Sequence, residues 1–237
     1  MKILVAVLTA GFLAQQPVRR AFQVTYDKHP PIALNTALQL EGASTEPAFR
    51  ELLTIGVDNH MPIGIVLGAE PSLCYVPLED SPGKITVAEL IATINAKVPG
   101  YRAELQDGVL DIAPVDLPSE VARLLDMRLA EFHSGDDLHT LMGSTLWTFI
   151  RAAIAPDEGT AGGGQSSTMV EKVPGMSVTD QTVRSILNSI VDKGSGGAWI
   201  LHTSKVTDLD STRQRPYEIY GYVGEEQHVK SELKCSD

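Results

Sequence analysis

Apolar residues recur along this chain with two different periods, and the switches between them mark out its elements. Phe22, Val24 and Tyr26 alternate with polar neighbours, as do Ile32, Leu34, Leu38 and Leu40 around Thr36. Each run predicts a strand with one buried face. Thr45 and Pro47 then suit a helix start, Thr45 as cap and Pro47 in the first turn, where its missing donor costs nothing. Phe49, Leu52, Leu53 and Gly56 follow at helical spacing, and Pro62 precedes a short apolar run, Ile63 to Leu67, that predicts a strand. Thr86-Val87-Ala88-Glu89 has the form of a capping box. Behind it Val87, Leu90, Ile91, Ile94 and Val98 fall on one helical stripe, and Pro99-Gly100 ends it. Tyr101 to Leu105 and Val109 to Ala113 predict two strands joined by a tight turn at Gln106-Asp107-Gly108.

The second half has a similar order. Pro118 to Leu125 predicts a short helix and Met127 to Phe132 a strand. Ser134 to Asp137 offer caps for a helix carrying Leu138, Leu141, Met142, Phe149 and Ala153. Asp157 to Thr168 predicts a polar, Gly-rich loop, and Val170 to Val178 an irregular strand. Val183, Ile186, Leu187, Ile190 and Val191 form another helical stripe, stopped by Gly194 to Gly197. Ala198 to Leu201 and Tyr217 to Val223 predict the last two strands.

A shift of 96 residues places Val87, Leu90, Ile91 and Ile94 on Val183, Ile186, Leu187 and Ile190, and both segments open with Thr-Val. A short helix cannot bury its stripe alone and needs a sheet to cover. The pattern therefore predicts an α+β protein of two small βαββαββ-type modules, each with two helices covered by small mixed sheets. The boundaries are a leader at 1–14, a first module at 21–116, a second at 117–223 and a polar tail at 224–237.

The phrase Thr86-Val87-Ala88-Glu89-Leu90-Ile91 leading into Tyr101 to Pro114 resembles the short N-terminal (STN-like) domain of secretins and TonB-dependent receptors. The resemblance covers about residues 45–114 and, more weakly, 138–223, and rests on a hydrophobic pattern with no invariant polar residue. It implies a periplasmic module that binds or signals through another protein without catalysis. The barrel or ring strands that accompany such modules are not evident here, so the implication is a free-standing pair of modules.

Lys2 followed by the apolar run Ile3 to Ala14 fits a secretory signal; a buried first strand or helix is the alternative. Ala14 suits the cleavage site although Phe12 does not, and Thr9-Ala10-Gly11 is a second candidate. The expected location is periplasmic or secreted. In an oxidising compartment Cys74 and Cys235 form either one bridge pinning the tail or two separate thiols, a choice that sequence separation leaves open. The 237 residues carry 19 Lys+Arg against 30 Asp+Glu, a net charge of −11 that argues against nucleic acid as a partner. No apolar stretch reaches the length of an integral membrane span.

The one local cluster with metal-ligating side chains is His133, Asp136 and His139, in His133-Ser134-Gly135-Asp136-Asp137-Leu138-His139. Imidazole and carboxylate suit a divalent metal, but the same acids serve a helix N-terminus as caps. No nucleophile elbow, phosphate loop or dinucleotide fingerprint occurs, and no cofactor is expected. Trp199, in a strand behind a buried helix, is expected in the core. Trp147 falls off its helix's apolar stripe, so it either anchors a partner or packs beneath the Gly-rich loop. The leading expectation is an exported, non-enzymatic protein that engages another envelope or secreted protein. The alternatives are a small secreted hydrolase or metal-dependent enzyme using His133, Asp136 and His139, and a soluble carrier of a small ligand.

Overall fold

The computed structural model describes residues 31–40, 48–68, 83–133, 145–155, 175–192, 197–210 and 216–222. In order these hold β1 (Ala37–Gln39), α1 (Ala48–Asp58), β2 (Ile63–Leu67), β3 (Lys84–Thr86), α2 (Val87–Lys97), β4 (Tyr101–Gln106), β5 (Val109–Pro114) and α3 (Ser119–Asp126). There follow β6 (Arg128–His133), α4 (Leu146–Ile154), β7 (Ser177–Thr182), α5 (Val183–Asp192), β8 (Ala198–His202), a 3-10 turn (Thr203–Lys205) and β9 (Ile219–Tyr222). The class is α+β, as the periodicities predict. The leader, the 22–26 strand and the C-terminal tail lie outside the described residues, as do Cys74 and Cys235.

Local chemistry explains several of these elements directly. Thr86 closes the predicted capping box: its Oγ1 accepts from the Glu89 N–H at 3.2 Å, while Glu89 Oε2 accepts from the Thr86 N–H at 2.7 Å. Between β4 and β5 the turn needs two consecutive positive φ values, met by Asp107 (54°) and Gly108 (81°). Thr182 starts α5 as it leaves β7, its Oγ1 accepting from the Ser185 N–H at 3.1 Å. That strand lies at Ser177–Thr182 and runs straight into the helix; residues 170–174 of the predicted Val170 to Val178 strand lie outside the described residues.

The sheet arrangement corrects the expected pair of modules. Among the described residues β2, β4, β5, β8 and β9 form one mixed sheet in the order β4-β5-β2-β8-β9. The central strand β2 pairs in parallel with β5 of the first half and with β8 of the second. The two halves therefore share one layer, and neither stripe roofs a sheet of its own. The strands that a 96-residue shift equates, β4 and β8, also sit in unlike places, one at an edge and one inside. Two antiparallel ribbons, β1-β3 and β6-β7, flank the main sheet.

Each face of that layer carries its own core, and the alternation of side chains along the strands decides which residues join which. On the first face Ile63, Ile65 and Leu67 of β2, Leu110 and Ile112 of β5, and Ala198 and Ile200 of β8 pack with α1 and α2. On the second face Val66, Val109, Trp199 and Leu201 pack with α3, α4 and α5. The α5 stripe of Val183, Ile186, Leu187, Ile190 and Val191 is buried throughout, as its spacing predicts. β2 is buried over its whole length, which explains why it reads as a continuous apolar run with no alternation.

Trp199 stands beside Gly64 on the neighbouring strand, and its indole occupies the space a side chain at 64 would need. A Cβ built on Gly64 would lie 2.5 Å from the ring atoms Cε2 and Cζ2. Replacing Gly64 by Ala is therefore expected to destabilise the protein by about 1–3 kcal/mol through overpacking, read as a lower denaturant midpoint at unchanged slope. An unchanged midpoint would show that the indole has room to move.

Candidate functional site

Burying a carboxylate in a strand is costly unless a partner is supplied, so Asp111 stands out. It lies in β5 between Leu110 and Ile112, is 3% exposed, and points to the second face. Its partner comes from the first turn of α5. Arg184 Nη1 donates to Asp111 Oδ2 at 2.9 Å, with the arginine side chain 16% exposed. One turn further along α5, Asn188 is buried and its Oδ1 accepts from Trp199 Nε1 at 2.8 Å. Asp111 Oδ1 and Asn188 Nδ2 have no hydrogen-bond partner among the described residues. Two separate polar contacts, Trp199 to Asn188 and Arg184 to Asp111, thus tie α5 to the sheet.

Burial pushes the Asp111 carboxyl above its ordinary value of 3.8. The Arg184 charge and hydrogen bond pull the other way, with a weaker pull from the Asn188 amide, which stops short of hydrogen-bond geometry. Glu104, across the ladder on β4, adds to the rise.

This pair forms the inner wall of an open trough of about 420 Å³. Its floor is the second face of β4 and β5, with Arg102, Glu104 and Gln106 on one strand and Asp111, Ala113 and Pro114 on the other. Val115, Asp126 at the end of α3, Thr182 and Arg184 complete the rim. Arg102 and Glu104 are exposed and approach each other to 3.4 Å. The lining thus alternates in sign, with three carboxylates and two guanidinium groups. Such a surface recognises polar or charged groups more readily than a hydrocarbon.

Those residues singled out in the sequence that are described lie elsewhere. His133 ends β6 and sets its ring edge-on to Phe149, with centroids 4.8 Å apart. Asp136 and His139 lie outside the described residues, and no group of three metal-ligating side chains occurs among those described. Trp147 is half-buried and packs edge-on against the buried Tyr217, at a centroid distance of 6.1 Å. Trp199 is fully buried, as expected. Asp111 and Arg184 were not anticipated, although one signal is present: Asp111 is the lone acid inside the apolar run Val109 to Ala113. Its partner, 73 residues away, has no local signal.

No family model matches the chain, and neither a curated protein nor a solved structure does so. No helix among the described residues is long and apolar enough to cross a membrane.

Replacing Arg184 by Met would leave the Asp111 charge buried without its counter-ion. A loss of about 3–5 kcal/mol is expected at neutral pH, measured by urea unfolding, and a loss below about 1 kcal/mol would show the pair to be dispensable.

The raised carboxyl also sets a sign. Between 3.8 and its higher folded value, Asp111 keeps a proton that the unfolded chain has released, so its contribution to stability is lost as pH rises through that window. The stability of the wild type relative to D111N should accordingly fall as pH is raised from about 4 and then level off. Glu89, lowered by its Thr86 bonds, and Asp180, lowered by its Arg128 bond, act in the opposite sense and weaken the fold as pH drops. They contribute equally to both proteins and cancel in the comparison. A difference that grows with pH would overturn this assignment.

Proposed function

We propose that this chain is an exported, non-enzymatic binding protein that engages another envelope or secreted protein through the trough over β4 and β5. The observation that carries the reading is the trough itself: charged side chains of both signs displayed on a rigid sheet, with Asp111 tied to Arg184. A carboxylate locked to a guanidinium acts as an anchor that shapes the surface, and the exposed Arg102, Glu104 and Asp126 are left to meet a partner. Val115, 64% exposed on the rim, supplies an apolar contact beside them. The signal-like run Ile3 to Ala14 supports export, and the STN-like pattern over residues 45–114 supports an interaction role in the periplasm.

The test is chemical crosslinking of the full chain in a cell-envelope or culture-fluid fraction, comparing the wild type with V115E and D126K. Both positions are exposed, so the variants keep the fold. A partner held by the wild type and reduced at least tenfold in both variants is the expected result. Identical captured sets, or hydrolase turnover that D111N abolishes, would overturn the reading.

A further inference from the structure

An edge strand exposes a row of backbone donors and acceptors to any second strand that fits. β4 is one edge of the five-stranded sheet, and its residues alternate between facing β5 and facing away. The Val115 N–H donates to the Gly100 carbonyl at 2.8 Å, which puts residues 100, 102, 104 and 106 in bonded register with β5. Ala103, opposite Ile112, therefore turns its N–H and C=O outward. Both are taken by one side chain. Asn95 of α2 accepts from the Ala103 N–H through Oδ1 at 2.7 Å and donates from Nδ2 to the Ala103 carbonyl at 3.0 Å. The amide thus occupies the place a neighbouring strand would take. Asn59 does the same for Gln39 of the ribbon strand β1, at 2.6 and 3.0 Å.

The strand behind this lock is self-complementary. Antiparallel pairing of two copies of β4 about Ala103 sets Arg102 of each against Glu104 of the other, and Tyr101 against Leu105. Ala103 then forms the bonded pair at the centre, and Tyr101 and Leu105 share its outward phase; the Tyr101 N–H, held in the single chain by a long 3.3 Å bond to the Val98 carbonyl, exchanges that acceptor for the partner copy. Opposite charges directly across an antiparallel pair are favourable. Among the described residues Arg102 and Glu104 have only each other, at 3.4 Å and largely in solvent, so both are available to exchange partners. Asn95 is itself exposed on α2. We propose that β4 is a latent dimerisation edge for a second copy of this chain, closed by the Asn95 amide. Opening it joins two sheets through a two-fold axis at Ala103 and brings their troughs side by side, since Arg102 and Glu104 line both.

The test is the mass of the full chain by sedimentation over a concentration series, with circular dichroism and Tm as checks of folding. N95A removes the lock and places a better helix former at an exposed position of α2; N95S serves if N95A does not fold. The expected result is a twofold mass for the unlocked variant relative to the wild type. Adding R102E, which sets Glu against Glu104, returns the wild-type mass, and R102E/E104R in the unlocked background restores the doubling. A folded, unlocked variant with the wild-type mass overturns the proposal, as does a doubled mass indifferent to R102E.

Discussion

The contact on which the rest of this structure depends is the Trp199 indole lying against Gly64. It joins neighbouring strands that are 135 positions apart along the chain, one from each half. The absence of a side chain at 64 lets a large ring reach the centre of the second face, and the ring's N–H then requires a buried acceptor. Asn188 supplies it, and this orients α5 over β2, β5 and β8. The placement of α5 in turn sets Arg184 beside Asp111. Packing at the middle of the sheet thereby determines the charge arrangement at its edge.

The Asp111–Arg184 pair illustrates what such a placement involves. Desolvating two charges costs several kcal/mol per ion, and the mutual attraction offsets this only with good geometry. A pair of apolar residues would serve stability at least as well. The guanidinium meets the carboxylate with α5 lying against β5. Among the described residues, the same setting leaves the second face of β4 open. Buried pairing and open trough are thus two results of one helix position.

Edges of the sheet receive different treatment from its centre. The central strand β2 is enclosed on both faces and has partners on both sides, whereas among the described residues β4 has a strand partner on one side alone. The outward N–H and C=O of its central residue Ala103 are met by the Asn95 side-chain amide, and the outward Tyr101 N–H by the Val98 carbonyl. A polar residue at an exposed helical position, unremarkable in the sequence, thus governs which surfaces remain available for strand addition.

What the sequence determined by itself was local. The capping box at Thr86 and Glu89, the tight turn at Asp107-Gly108, the α2 and α5 stripes and the strand at Ile63 to Leu67 depend on residues within a few positions of one another, and they stand as read. Trp199 in the core followed from its place behind an apolar helix. Which strands share a sheet was decided only by the tertiary structure. Pairing of β2 with β8 depends on the fit of Gly64 to Trp199 and on two faces that must be covered together, and a one-dimensional pattern carries no record of that distance. Two similar stripes suggested two sheets because periodicity reports that a helix has a buried side and says nothing of what buries it. For the same reason Asp111 goes undistinguished within its strand: a buried charge becomes legible only when its counter-ion, from a distant helix, is in place.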